Sequence, residues 1–586
     1  MKPVLCPSPR TLVEGCGCID APARIRLNAA AVVALSRAAE VSAAIMGGIC
    51  KVALDPDAAF AVTVERDPAL HGEAYSLRCG PEGCHLRART EQGVSRAFAT
   101  LAQIFLGGKI PALDIDDAPA LPLRGYMLDA SRDRVPARRT LLHLLDALWL
   151  CKYNQFQLYV EHTFAFDGHE PVWEHASPFT RADIAWLQDQ CAARGIELVP
   201  NLNSLGHFGR WLRLPAYRHL SECPDGVTLP NGRVMPPGGT TLFPGPDSLA
   251  FLDGLYAQYL PLFDSHRFNA GMDEPWELGL GRSADACQQR GKHRVYLDHL
   301  LAVARLAKKH GKALQFWADI VLEAPELVAE LPEGITGMIW GYENGHPFEA
   351  QCAAFEKAGV PFVVCPGTSG WNSLAGRWEN ARANIAQAAA AARAHGAMGI
   401  LLTDWGDNGH HQPLCVSLPP LAVCAELGWR GETGCDVEAA LNILLLRDAT
   451  GICGHAITTM GSLCERHFRT RIHNCAAAWK LFFAKPEELP EILTSEDAAA
   501  IPAFRAELAA LRVELASARP TAFGGKLVCA ELDLTARMLD AGVRRFQGEE
   551  MGGEIGRIAD DYAELWLSRS ERGGLEDSLA RIAAIS

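Results

Sequence analysis

YLDHLLAVARLAKKHGKALQFWADI, residues 296–320, contains one complete unit of the architecture this chain repeats. Leu297, Leu300, Leu301, Val303, Ala304 and Leu306 recur largely on one stripe, which predicts an amphipathic helix closed by Gly311. The run that follows, ALQFWADI (313–320), predicts a buried strand. Working outward, the same alternation of apolar strand, polar loop and amphipathic helix runs from residue 119 to about 430. Seven more strands are predicted: RGYMLDAS (124–131), YNQFQLYV (153–160), IELVPNLN (196–203), FNAGMDE (268–274), ITGMIWGYE (335–343), FVVCPGTSG (362–370) and MGILLTDW (398–405). Strand–helix alternation implies a parallel sheet, and eight repeats imply closure into a (β/α)8 TIM barrel, an α/β fold. An open doubly wound sheet is the alternative, but no GxGxxG joins a strand to a helix to support a dinucleotide site.

Two regions flank the barrel. Residues 1–118 mix β-like runs (AFAVTVE, YSLRCG, CHLRART) with helical stretches (29–46 and 93–108), as an N-terminal α+β domain does. DIDDAPALP (114–122) reads as the linker to the barrel at 119–430. Residues 431–586 read as a C-terminal mainly helical domain, with Ile501, Phe504, Leu508, Leu511 and Leu515 at helical spacing and Pro520 after them. Its expected role is that of a structural cap.

Composition narrows the function classes. A chain that is 49% hydrophobic and 21% charged can bury a large core. A formal net charge of −14 argues against a nucleic-acid partner, which needs a basic face. No run of about 18 apolar residues is found, so no membrane span is expected. The start, MKPVLCPSPRTLVEGCGC, has no apolar stretch after its lysine, so a cytoplasmic location is expected; a leader removed before maturation is compatible with it. The 19 cysteines are scattered without a CxxC pair, which predicts reduced, buried thiols and neither a metal nor another cofactor. Oligomeric state stays open, a homo-oligomer included.

Active residues of such barrels sit at the carboxyl ends of the strands. Those ends carry acids and aromatics together: Asp129, Glu161, His207, Asp273 and Glu274, Trp317 and Asp319, Trp340 and Tyr342, Trp371, then Asp404, Trp405 and Asp407. Sugar rings have apolar faces edged with hydroxyls, and tryptophan walls with carboxylates suit them. In GMDEPWELGLG two adjacent acids end a strand. Neighbouring carboxylates resist joint ionisation, so one is driven toward the protonated form and can serve as a proton donor.

RGYMLDASRDRVP (124–136), YNQFQLYVEHTF (153–164), NLNSLGHFGRW (201–211), GMDEPWELGLGR (271–282) and TDWGDNGHHQP (403–413) resemble, in order, the motifs of glycoside hydrolase family 20. The stretch from Gly72 to Phe105 is similar to that family's small N-terminal domain. The resemblance implies an exo-acting retaining β-N-acetylhexosaminidase that releases terminal β-linked GlcNAc or GalNAc from a glycan by substrate-assisted catalysis through an oxazolinium ion. It implies Glu274 as general acid and base, and Asp273 as the group that orients the acetamide. Arg124 looks like the arginine for the outer hydroxyls, and Trp405 and Asp407 like the pair that holds the ring and its outer edge. His207 looks like a support, and Trp317 and Trp340 like acetamide-pocket walls. The second strand, QLYVEHT, is closer to a divergent branch of the family. The family's seventh-strand tyrosine is missing from CPGTSGW, which leaves Tyr342 or Trp371 to fill that place.

Three other readings compete. An exo-β-glucosaminidase or other retaining glycosidase would use Asp404 or Asp407 as nucleophile. A catalytically inactive carbohydrate-binding barrel would have no need of the acid pair. A metal hydrolase would draw on His410 and His411.

Overall fold

The structure, a computed structural model, describes residues 2–28, 32–132 and 134–585. The predicted helix over 29–46 therefore has its first three residues outside the described part, as is residue 133 of the first motif.

Eight parallel strands close into a barrel in chain order. They are β1 (Leu123–Asp129), β2 (Gln155–Val160), β3 (Glu197–Leu202), β4 (Arg267–Asn269), β5 (Ala313–Trp317), β6 (Thr336–Trp340), β7 (Phe362–Cys365) and β8 (Gly399–Asp404). β8 pairs with β1 from Gly399↔Leu123 to Asp404↔Leu128, which seals the cylinder. Helices cover the outside; Lys292–Lys309 buries Leu297, Leu300 and Val303 of the predicted stripe. Every residue of β1, β2 and β8 is buried, because helices cover one face and the barrel interior the other.

The interior is not uniformly apolar. Gln157 donates to Gln155 and Gln315 at 3.1 and 3.2 Å, and accepts from Asn201 and Asn269 at 3.0 and 3.2 Å. This amide layer fills one side of the barrel. Met127, Met338, Val363, Cys365 and Leu401 fill the other, in a cluster that also holds Tyr159, Trp317 and Trp405. Bonding one another satisfies most of these buried amide groups, while Asn201 Oδ1 and Gln315 Nε2 have no partner among the described residues.

The predicted strands end earlier than expected at their carboxyl ends. β4 stops at Asn269, not Glu274, because Gly271, Met272 and Glu274 have φ of +66°, +79° and +47°. A strand cannot continue through that region. The chain beyond each strand is loop, and the candidate site lies in these loops.

The N-terminal part is a seven-stranded sheet. Its order by residue range is Thr11–Asp20, Lys109–Asp117, Tyr75–Gly80, Gly83–Ala88, Ala61–Arg66, Arg24–Asn28 and Ala53–Leu54. DIDD (114–117) thus belongs to a strand, since Leu113, Ile115 and Asp117 alternate inward between exposed Asp114 and Asp116; only 118–122 connects. Helix Val33–Cys50 is long and apolar enough to cross a membrane by length and composition; here Leu35, Ala39, Ala43, Met46 and Ile49 pack in the core. The sheet is pinned to the barrel by Lys152 and Asp117, 2.8 Å apart with both side chains fully buried. Tyr75 Oη and Trp429 Nε1 also donate to Asp117.

The C-terminal helices Ile452–His467, Ala477–Phe483, Ser495–Leu515, Lys526–Phe546, Glu554–Arg569 and Leu575–Ala583 pack beside the barrel. Ile501, Phe504, Leu508, Leu511 and Leu515 are all buried. Arg134 joins this region to the barrel, stacking 4.9 Å over Trp566 and donating to Ser570 Oγ at 3.0 Å.

Candidate active site

The loop after β4 carries Asp273 and Glu274. Asn203, just beyond β3, shapes it: its Oδ1 accepts from Met272 N at 3.3 Å and its Nδ2 donates to Asp273 Oδ1 at 3.0 Å. Gly206 lies so close that a Cβ there would stand 2.3 Å from the Asp273 carbonyl oxygen. His207 follows, with φ +62°, and its Nε2 lies 3.2 Å from Asp273 Oδ2 and 3.7 Å from Glu274 Oε2. Asp319 Oδ2 accepts the Glu274 N–H at 3.2 Å.

These groups line a cavity of about 60 Å³ with Arg132, Trp317, Trp340, Tyr342, Trp405, Asp407 and Asn474. Trp405 Nε1 donates to Tyr342 Oη at 2.8 Å. Trp340 stacks on Tyr342 with ring centres 5.1 Å apart. Trp317 is fully buried, and its Nε1 has no acceptor among the described residues. Arg132 lies over Tyr159 and Trp405 at 4.9 and 5.1 Å. It donates to Asp129 at 3.1 Å and faces Glu161 and Asp407 at 3.6 and 3.8 Å.

The two adjacent acids are pushed in opposite directions. Burial disfavours the Asp273 anion, but the charge and hydrogen bond of His207, with Asn203 and Arg132, outweigh it and hold the group below the usual aspartate range. Glu274 is raised: burial is the main cause, Asp273 and Asp407 add to it, and His207 and Arg132 oppose. His207 is raised to about 9, burial being overcome by the charge of Asp273 and its hydrogen bond. The site therefore pairs a stable anion with a carboxyl held toward its protonated form, beside an imidazolium.

Of the predicted site residues, Asp273, Glu274, His207, Trp317, Trp340, Tyr342, Trp405 and Asp407 converge on this cavity. Arg124 does not, which corrects its assignment to the sugar's outer hydroxyls. It opens β1 at the opposite end of the barrel, 1% exposed, with its guanidinium on Glu73 at 2.5 Å and on the carbonyls of Lys152, Leu121 and Pro122. Strand direction decides this: only residues at the carboxyl end reach the mouth. Trp371 is also displaced from the predicted role; it is buried behind Tyr342, 5.1 Å away edge-on, and its Nε1 donates to Asn474.

Asp404 is not in the lining either. Tyr126, Thr368 and Ser417 hydroxyls all donate to it, and it is 1% exposed. His410 and His411 are buried and lowered in pKa by burial first; His411 packs against Phe483 and Tyr562.

Two lining residues were missed. Arg132 lies within the very motif that suggested Arg124, and its place past the end of β1 was the available signal. Asn474 comes from the helical region and had no local signal; its N–H donates to Glu343 at 2.8 Å. That region is thus more than a cap.

Comparison with known proteins agrees with this geometry. The profile described as "Glycosyl hydrolase family 20, catalytic domain" matches residues 121–394, and "Glycosyl hydrolase family 20, domain 2" matches 2–118. The chain is 25% identical over 217 residues to "Beta-hexosaminidase subunit A1" of Dictyostelium discoideum, covering 34% of this chain and 39% of that one. It is 29% identical to "Beta-hexosaminidase" of Akkermansia muciniphila (43% and 56%) and 25% identical to "Hexosaminidase D" of Bos taurus (50% and 88%). The match thus spans only about 39% and 56% of the first two relatives' own length. Among solved structures, the exo β-N-acetylglucosaminidase of Vibrio harveyi, crystallised with N-acetylglucosamine, superposes with a TM-score of 0.61 at 17% identity over 78% of each chain. The chitobiase of Flavobacterium johnsoniae does so with 0.61 at 18% identity over 98% of each. At these identities the superpositions establish the shared fold.

Proposed function

Because the chain belongs to glycosyl hydrolase family 20, we propose that it is an exo-acting retaining β-N-acetylhexosaminidase that removes a terminal β-linked GlcNAc or GalNAc from a glycan by substrate-assisted catalysis. The observation that carries this reading is the split pair: Asp273 held anionic by His207 and Asn203, next to Glu274 raised in pKa, in a tryptophan-walled cavity.

In the first step the acetamido oxygen of the bound sugar attacks C1 and the C1–aglycone bond breaks. The leaving oxygen takes the Glu274 proton, and an oxazolinium ion results. Asp273 accepts the acetamido N–H, turns the oxygen toward C1 and balances the developing positive charge. In the second step water attacks C1 and gives its proton to the Glu274 carboxylate as the C1–O bond to the acetamide opens, so the anomeric configuration is kept. Tyr342, whose oxygen already accepts from Trp405, keeps its own O–H for the acetamide oxygen. Arg132 and Asp407, facing each other at 3.8 Å, take the outer hydroxyls and close the non-reducing end.

A conventional mechanism through Asp404 is disfavoured by that carboxylate's three hydroxyl donors and its place outside the cavity. Aryl β-GlcNAc and β-GalNAc hydrolysis with a thiazoline inhibitor tests the proposal: turnover and tight inhibition are expected. Absence of chromophore release at any pH from about 4 to 8, the span of shifted carboxyl groups, sinks it in favour of a binding barrel. Azide rescue of Asp407→Gly as a glycosyl azide establishes an enzyme nucleophile instead.

A further inference from the structure

At the opposite end of the barrel from the candidate site, two thiols and a carboxylate converge from distant parts of the chain. Cys6 precedes the first strand of the N-terminal sheet, Glu426 lies near the end of the helix Leu418–Trp429, and Cys435 follows that helix. We propose that Cys6, Cys435 and Glu426 bind a zinc ion, which clips the N-terminal segment to the barrel.

The geometry is that of a ligand set. The Sγ atoms of Cys6 and Cys435 are 3.6 Å apart, and all three ligand atoms lie within 4.8 Å of one another. Two sulfurs at about 2.3 Å from a tetrahedral zinc stand about 3.8 Å apart, whereas disulfide sulfurs stand about 2.05 Å apart. The buried Cys151 thiol adjoins that of Cys6 but lies outside the three-atom set, so the fourth position is left to water or another ligand. Thiolate sulfur with one carboxylate oxygen suits zinc better than the all-oxygen ions magnesium or calcium.

A second observation points the same way. Glu426 is 1% exposed; its Oε2 accepts the Ser8 N–H at 2.6 Å, while its Oε1 is buried with no partner among the described residues. A buried carboxylate oxygen without a donor is costly, and a bound cation at the thiols removes that cost. Lys152 and Arg430 are the basic groups near Glu426; Lys152 is already paired with Asp117. The surrounding shell is built as well. The Gln103 amide grips Cys6 from both sides, accepting from its N–H and donating to its carbonyl, each at 2.8 Å. Packing of small apolar thiols alone accounts for the cysteines but not for the carboxylate beside them.

The test is elemental analysis of the full chain purified without chelator under reducing conditions, then reconstituted with zinc and dialysed. About one zinc per chain is expected, with a cysteine-to-cobalt charge-transfer band on cobalt substitution. Cys435→Ser and Glu426→Gln should each cut retained zinc at least about tenfold. Should a variant fail to fold, the wild-type cobalt spectrum and the release of zinc by a mercurial reagent decide on their own. Less than about a tenth of an equivalent of zinc in the folded wild type overturns the proposal. So does a Cys6–Cys435 disulfide in the native chain by mass spectrometry.

Discussion

His207 Nε2 stands 3.2 Å from Asp273 Oδ2, on a backbone turned to φ +62° that places the imidazole between Asp273 and Glu161. The pair keeps Asp273 anionic while Glu274, one residue on, is driven the other way. Adjacent residues thus acquire different acid–base roles from different neighbours.

The pH–rate profile should follow from these shifts. Turnover needs Asp273 charged and Glu274 protonated. The acid limb of kcat/KM should fall below pH 3.8, since Asp273 is lowered from that value, and the alkaline limb above pH 4.5, since Glu274 is raised from that value. Measured with an aryl β-GlcNAc, an alkaline limb at or below 4.5 contradicts the assignment of Glu274 as the acid.

Stability should carry the opposite sign of pH dependence at His207. Its folded pKa is raised from 6.5 to about 9, so the charged pair contributes fully below 6.5 and is lost as pH rises through about 9. The Tm difference between wild type and His207→Asn should therefore be largest near about pH 6 and shrink by about pH 10. A difference that grows with pH refutes the pairing. The variant should also lose at least about tenfold in kcat/KM, or about 1.4 kcal/mol of transition-state stabilisation.

The two arginines of the first motif should separate cleanly. Arg124→Met removes a buried partner of Glu73 and should cost about 3 kcal/mol in chemical denaturation. Arg132→Lys keeps its charge near Asp129 and Asp407 but loses the planar fork, so it should fold normally while kcat/KM drops at least about tenfold. The reverse pattern would restore Arg124 to the sugar.

Gly206→Ala should be a severe activity mutation without touching a catalytic side chain. Its Cβ would meet the Asp273 carbonyl oxygen at 2.3 Å, so the Asp273–Glu274 loop must move. A loss of about 100-fold in kcat is expected, the cost of a shift on the order of 1 Å. Gly254→Ala, with no atom within 4 Å of its Cβ, is the control and should retain activity.

Asn474→Ala tests whether the helical region takes part in binding. Its Oδ1 accepts from Trp371 Nε1 at 2.9 Å and the residue lines the cavity. KM should rise about fivefold, near 1 kcal/mol for one lost hydrogen bond, with kcat less affected; unchanged kinetics would return that region to a purely structural role.

Local pattern was enough to read the barrel. Helical spacing at Leu297, Leu300 and Val303 and apolar runs such as QFQLYV each reflect which face of one element meets the core, and that is written within a few residues. The adjacency of Asp273 and Glu274 was equally plain. Other features belong to the tertiary structure alone. Arg124 and Arg132 share one motif, yet β1 carries them to opposite ends, the strand from Arg124 to Asp129 alone spanning roughly 17 Å at about 3.3 Å per residue. The loops beyond the strands, set by positive φ at Met272, Glu274 and His207, aim the acids and the imidazole at one point. Asn474 reaches that point from outside the barrel, and Cys6 meets Cys435 across 429 positions of chain. Periodicity records how each segment packs, whereas convergence of distant side chains depends on the packing of all the segments together, which no short stretch encodes.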